Sequence, residues 1–142
     1  EPKSLQLAEI GKWQTHLIAE NIGRCLLKAH NEKAFYYVDK SDTNNLMICK
    51  YSKGGVQLDG VGLQLGNNET NEKLFPVLKG SEDFCITPEG NFIMGKENSL
   101  YMLNPSIKIW TVLADIKNDG IKGITRVAIS PDGKRLAIVA KE

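Results

Sequence analysis

The sequence predicts an all-β fold built from repeated four-stranded antiparallel units. Two stretches, 82–96 and 124–139, lead from one apolar run through a turn into a second apolar run. Their turns are Thr87-Pro-Glu-Gly90 and Ser130-Pro-Asp-Gly133, in which Pro presets the first turn angle and Gly adopts the left-handed position. Gly90 and Gly133 lie 43 residues apart. A repeat of this length is typical of one blade of a β-propeller.

Residues 75–115 are expected to form one complete unit. A short linker strand at 75–79 precedes the first hairpin, and two more apolar runs follow it, separated by the turn at Asn104-Pro105. The strands of this unit are expected at 82–87, 91–96, 99–103 and 108–113.

The unit before it, residues 22–72, is longer. Its first turn, His30-Asn-Glu32, lacks Pro and Gly, and Glu32 lies 58 residues before Gly90, which is 15 more than the next interval. We assign the excess to the glycine-rich stretch 53–72, which predicts turns or a mobile loop around a short strand at 61–65. Insertions in repeat proteins often form the binding face. The other strands of this unit are expected at 24–29, 33–38 and 46–51.

The two ends of the chain predict half-units, at 4–19 and 124–141. The first resembles the third and fourth strands of the complete unit, with Trp13 and Trp110 each near the start of the last strand, whereas the last supplies a first and a second strand. The chain therefore carries about three units' worth of strands, and propellers need about four to eight. We expect a second copy, or a longer propeller of which this chain is a part, to complete the ring. Self-association through the unpaired edges at 4–19 and 124–141 is one such route.

The two turn-containing hairpins resemble the repeats of the TolB-like and WD-repeat-like β-propeller families. Those repeats carry an apolar strand, a Ser-Pro-Asp-Gly turn and a second apolar strand, and the match is specific at 82–96 and 124–139. The WD dipeptide itself is absent from the sequence. The resemblance implies a single propeller-like domain over residues 1–142. It also implies two kinds of function, a binding scaffold or part of an enzyme.

Charge and composition disfavour two classes of partner. Eighteen Lys and Arg residues against 17 Asp and Glu residues leave a formal net charge of +1, which gives no electrostatic reason to expect DNA, RNA or an anionic membrane. No apolar run approaches the ~18 residues that a spanning helix needs. We therefore expect a protein partner, and neither nucleic acid nor membrane.

The cysteines and histidines do not form a recognisable site in the sequence. Cys25, Cys49 and Cys85 lie in apolar runs without the spacing of a zinc site, which predicts buried free thiols. Three unpaired cysteines slightly favour a reducing compartment such as the cytoplasm, and secretion or a periplasmic location stays open. His16 and His30 have no acidic residue at metal-ligand spacing. We therefore predict no catalytic residue, no metal and no cofactor.

The favoured function is a non-catalytic protein-binding scaffold that uses residues 53–72 as its contact loop. The alternative is a fragment or subunit of a propeller enzyme, of the lyase type or associated with a hydrolase or peptidase. Because Phe35-Tyr36-Tyr37 must alternate between the faces of a strand, only part of this run is available to a partner. The candidate partner-binding residues are Tyr36, Tyr51, Gly54, Gly55, Gln57, Asp59, Asn67 and Asn68.

Overall fold

The structure is a computed structural model that describes the backbone of residues 1–30, 32–41, 44–59 and 62–142. It describes the side chains of the same residues except those of 52–68. Two sequence predictions fall partly outside this range. The turn at 30–32 contains residue 31, and the short strand expected at 61–65 begins at residue 61.

Four antiparallel sheets make up the described chain, and each sheet is formed by strands that follow one another in sequence. The all-β prediction is therefore confirmed. Sheet A contains β1 (Leu5–Ala8) and β2 (Thr15–Ala19). Sheet B contains β3 (Ile22–Lys28), β4 (Ala34–Asp39), β5 (Asn45–Asp59) and β6 (Gly62–Pro76). Sheet C contains β7 (Phe84–Ile86), β8 (Phe92–Lys96), β9 (Ser99–Leu103) and β10 (Trp110–Asp115), and sheet D contains β11 (Lys122–Ile129) and β12 (Leu136–Lys141).

Consecutive sheets pack against each other through buried apolar clusters, so that the order in space follows the order in sequence. Leu5 of sheet A packs with Tyr37 and Cys49 of sheet B. The largest cluster joins sheets B and C, and a third joins sheets C and D, where Ile93 packs with Val127. The B–C cluster contains Val38, Leu46, Phe75, Val77, Phe84, Phe92, Met94 and Leu103. In the part of the chain that the structure describes, no helix is long and apolar enough to span a bilayer.

The two turns that contain Pro and Gly have the same hydrogen bonds. The Gly90 amide donates to the Thr87 carbonyl and the Gly133 amide donates to the Ser130 carbonyl, each at 2.9 Å. Both glycines have positive φ, as the turn chemistry predicts. The two turns are also neighbours, because a Cβ built on Gly133 would lie 2.9 Å from Pro88.

The boundary of sheet B corrects one prediction. Residues 75–79 were expected to form a linker strand ahead of the next unit, but β6 runs to Pro76 and Phe75 pairs with Leu46 of β5. Phe75 is buried, and its ring lies 5.0 Å from that of Phe92. The run at 74–76 thus belongs to the last strand of sheet B, and Phe75 and Val77 contribute to the B–C cluster.

The glycine-rich stretch 53–72 corrects a second prediction. It was expected to be turns or a mobile loop, but β5 and β6 continue past the body of sheet B as a two-stranded ribbon, here called the arm (residues 52–59 and 62–68). Within the arm, the register shifts between Lys53 and Val56, where Gly54 and Gly55 lie. A β-bulge can accommodate glycine residues within a ladder, so the high glycine content of this stretch did not prevent β5 and β6 from pairing.

Trp13 corrects a third prediction. It was expected near the start of the last strand of its half-unit, but β2 begins at Thr15, and Ala8 pairs with Thr15 as Leu103 pairs with Trp110. Trp110 packs edge-on against Phe75, and its Nε1 donates to the Pro76 carbonyl at 2.9 Å. Trp13 lies in the turn before β2 and is 69% exposed.

Candidate functional site

Two grooves flank sheet B at the end from which the arm extends. One lies between sheets A and B and has a volume of about 560 Å³, and the other lies between sheets B and C and has a volume of about 390 Å³. We call them the A–B groove and the B–C groove. Their positions follow from the strand alternation of β4, which directs Phe35 to one groove and Tyr36 to the other.

The A–B groove has an aromatic wall. The rings of Phe35 and Tyr51 stack with their centroids 5.5 Å apart and their planes 17° apart. Phe35 pairs with Cys49, two residues before Tyr51, so the two rings are diagonal neighbours across β4 and β5. The opposite wall comes from sheet A and its turn. It contains Leu7, Ala8, Glu9, Ile10, Lys12, Gln14, Thr15 and His16.

A contact between His16 and Glu69 connects sheet A to the base of the arm. His16 Nε2 lies 2.7 Å from Glu69 Oε2. Glu69 lies directly opposite Tyr51 in the β5–β6 ladder, and its side chain is only 12% exposed. The pair fixes the position of the His16 side chain at the edge of the A–B groove. This histidine, which has no acidic residue at metal-ligand spacing in the sequence, contacts a carboxylate from β6.

The B–C groove combines an apolar floor with charged side chains at its rim. Tyr36 packs edge-on against Phe92, at a distance of 5.3 Å between the ring centroids. Burial raises the pKa of Tyr36, and the nearby Glu32 carboxylate raises it further. Lys50 Nζ lies 3.7 Å from Glu72 Oε2. The remaining lining residues are His30, Ile48, Leu74, Ile86, Thr87, Pro88, Glu89, Gly90 and Pro105.

The candidate residues do not form one site. Tyr36 and Tyr51 lie on opposite faces of sheet B, which confirms the expected alternation but separates them into the two grooves. The other six candidates belong to the arm, and their side chains lie outside the described residues. Their backbone positions are known from the bulge at Gly54 and Gly55 and from the pairs Gln57–Gln64, Asp59–Gly62, Lys53–Asn67 and Ser52–Asn68.

Several residues at the A–B groove were not anticipated as a site. Phe35 was recognised only as one aromatic among several, and Glu69 and Lys12 were not singled out. Strand alternation does place Phe35 and Tyr37 on one face of β4. The contribution of sheet A had no signal in the sequence, because it depends on how sheet A packs against sheet B.

The three cysteines are free thiols, and the expected burial is confirmed for two of them. Cys49 and Cys85 are buried, and Cys25 is half-buried with its Sγ 3.4 Å from the Phe84 carbonyl. Burial raises the pKa of Cys25 to about 11 and that of Cys85 to about 12, and it also raises the pKa of Cys49. Within the described residues, no cluster of three or more His, Cys, Asp or Glu side chains could hold a metal ion.

These thiols are expected to react slowly in the folded chain. With a pKa of about 11, Cys25 has only about one thiolate per thousand molecules at pH 8. Because the pKa is raised, the rate of alkylation by iodoacetamide should keep rising about tenfold per pH unit beyond pH 9. The same chain unfolded in guanidinium serves as the control, and its rate should level off near pH 9. Equal rates at pH 8 in the two states would contradict the burial of the thiols.

Comparison with known protein families, with curated proteins and with solved structures gives no match to this chain.

Proposed function

We propose that the chain is a protein-binding module of the β-propeller type, which holds its partner in the A–B groove and along the arm. Two features support the architecture in this proposal. Sheets B and C each have four antiparallel strands in sequential order, and consecutive sheets pack face to face. The repeat of the Pro- and Gly-containing turn agrees with it.

The observation that carries the binding function is the stacked Phe35–Tyr51 pair on the wall of the A–B groove. Aromatic side chains in concave sites contribute much of the free energy of protein–protein association. Leu7 and Ile10 extend the apolar surface, and Glu9 and Lys12 add charges of both signs at the rim. This combination suits a peptide segment that inserts an apolar or aromatic side chain between charged neighbours.

The arm adds backbone groups to this surface. In the body of sheet B, β5 pairs with β4 on one side and with β6 on the other, but its pairing with β4 ends at Lys50. Among the described residues, the arm part of β5 therefore pairs with β6 alone. An extended partner segment can add to such an edge by β-strand addition, which provides main-chain hydrogen bonds next to the groove.

A peptide library displayed on phage tests this function with the full chain as the target. The tightest selected peptide is expected to lose about tenfold or more in affinity when Tyr51 is changed to Ala, because the aromatic wall of the groove is lost. Tyr101→Ala is the matched control, since Tyr101 is a half-buried tyrosine of sheet C outside the groove. Affinity is measured by titration calorimetry.

A second variant tests the arm. The register allows residues 53–67 to be replaced by Asn-Gly, since Ser52 and Asn68 lie opposite each other and a two-residue turn can join them. Removal of all of 53–72 would also delete residues that pair with the body of β5. The shortened chain should keep its melting temperature and bind the peptide less tightly. If Tyr101→Ala weakens binding as much as Tyr51→Ala, or if neither change at the proposed surface has an effect, the proposal is wrong.

A further inference from the structure

Sheet A repeats the pairing of β9 with β10 in sheet C. Every pair of β1–β2 has a counterpart 95 residues later in β9–β10, and the irregularity in register occurs at the same place. The matching pairs are Leu5–Ala19 with Leu100–Ala114, Gln6–Leu17 with Tyr101–Val112, Leu7–His16 with Met102–Thr111, and Ala8–Thr15 with Leu103–Trp110.

Sheet D repeats the pairing of β7 with β8 in sheet C. The strands flank the same type of turn, in which the Thr87 amide donates to the Asn91 carbonyl and the Ser130 amide donates to the Arg135 carbonyl. The pairs next to the turn also correspond. They are Phe84–Met94 with Val127–Ile138, Cys85–Ile93 with Ala128–Ala137, and Ile86–Phe92 with Ile129–Leu136.

Sheets A and D are thus the two halves of one four-stranded sheet, but they are not joined within the chain. Among the described residues, β1 pairs only with β2 and β12 pairs only with β11. Sheets B and C lie between them in the packing order. We propose that β12 of one copy pairs with β1 of a second copy, which completes the sheet β11–β12–β1–β2 across two chains.

The register of this junction follows from β8 and β9, which join the two halves in sheet C. Met94 pairs with Tyr101 and Ile93 pairs with Met102. Transferred to the equivalent residues, Ile138 of one copy lies opposite Gln6 of the other. The complete set is Leu136–Ala8, Ala137–Leu7, Ile138–Gln6, Val139–Leu5 and Ala140–Ser4.

The backbone of β12 is oriented for this pairing. The Val127 amide donates to Asp83 Oδ2 at 2.9 Å and not to β12, so Val127 and Ile138 form a pair without mutual hydrogen bonds. In an antiparallel ladder the amide and carbonyl of such a residue both point away from the partner strand. The amide and carbonyl of Ile138 therefore point to the unpaired edge of β12, where the proposed register places Gln6 of the second copy.

The side chains agree with the same register. Val139 is 56% exposed, although it is an apolar residue of a strand. The proposed register puts it opposite Leu5, which is buried against Tyr37 and Cys49 of sheet B. Val139 would extend this cluster in the second copy. A slip of one residue would turn Val139 to the opposite face, away from the cluster.

The expected assembly is a closed dimer. Each copy contributes about three units, and two junctions between two copies give six complete units, within the range of about four to eight that closes a propeller. The junction would place β12 of the second copy beside Leu7 and Ala8, which line the A–B groove, but the mass of the assembly can be measured without a peptide in that groove.

Light scattering on the full chain should give twice the 15.7 kDa mass of one copy. Gln6→Pro should give the mass of a single copy, because Pro removes an amide that points to the open edge. The Gln6 side chain is exposed, so sheet A should keep its structure. Gln6→Ala is the control that keeps the amide and should remain a dimer. A monomeric parent chain, or a dimer that Gln6→Pro does not dissociate, overturns the proposal.

Cross-linking tests the register without a proline. Chains with Ala137→Cys are mixed with chains carrying Leu7→Cys and oxidised with diamide. The pair has no mutual hydrogen bonds in the proposed ladder, and its Cα separation of about 4.5 Å falls in the range of a disulfide. We expect a covalent dimer, and a yield at least tenfold lower when Gln6→Cys replaces Leu7→Cys. Equal yields, or no cross-link from the Leu7→Cys mixture, would show that the register is wrong.

Discussion

Replacement of Phe92 by Ala is expected to lower the free energy of unfolding by about 3–5 kcal/mol, a large part of the 5–15 kcal/mol typical of a domain. Phe92 is 3% exposed and lies at the centre of the B–C cluster. Its ring contacts those of Tyr36, Phe75 and Phe84, with centroid distances from 5.0 to 6.0 Å. The truncation would leave a cavity bordered by rings from two sheets, which cannot all move to fill it.

Urea unfolding followed by tryptophan fluorescence measures this change, because Trp110 packs against Phe75 in the same region. Val112→Ala is the matched control, since Val112 is an exposed apolar strand residue. Its effect should stay below about 0.5 kcal/mol. A Phe92→Ala chain that loses no more stability than this control would contradict the proposed packing of sheets B and C.

Gly95→Ala is expected to have the second largest effect, about 1–3 kcal/mol or more. A Cβ on Gly95 would overlap Ile124 Cγ2 and lie 3.0 Å from Ile124 Cβ. Gly95 belongs to sheet C and Ile124 to sheet D, so the added methyl group would push the two sheets apart. The glycine is required here by the close approach of two strands.

A double-mutant cycle distinguishes this clash from a general loss of stability. Ile124→Ala removes the Cγ2 group that the new methyl group of Gly95→Ala would meet. It also removes apolar contacts from the cluster between sheets C and D. The double variant should be more stable than the sum of the two single effects implies, by about 1 kcal/mol or more. Strict additivity in urea unfolding would show that the two residues do not meet.

The hairpins with a Pro- and Gly-containing turn could be predicted because local chemistry determines them. The turn between β7 and β8 specifies the direction and the register of both strands, and the sequence places it within one residue of its observed position. The four strands of sheet C followed for the same reason. Each strand is a short apolar run, and most of these runs are followed by a polar turn.

The arm could not be predicted because its pairing outweighs the local preference of its residues. Glycines usually indicate a turn, but here Gly54 and Gly55 lie in a bulge between two long paired strands. The boundary at Pro76 was misplaced for a related reason. The pairing of Phe75 with Leu46 determines where the last strand of sheet B ends, and these two residues are far apart in the sequence.

The A–B groove could be predicted only in part. The aromatic residues of β4 were recognised, and strand alternation correctly separated Tyr36 from its neighbours. However, the Phe35–Tyr51 stack requires the register between two strands, and the contact of His16 with Glu69 requires the packing of sheet A on sheet B. Neither relation leaves a pattern in the order of the residues.

The two turns that contain Pro and Gly differ in the space beside their glycines. The ring of Pro88 lies beside Gly133, whereas a Cβ on Gly90 would have no atom within 4 Å. Gly90 lines the B–C groove, so the surface there is open. A side chain added at Gly90 would enter the groove, and one added at Gly133 would meet the neighbouring turn. The same turn chemistry thus gives an accessible surface at one glycine and a contact between two sheets at the other.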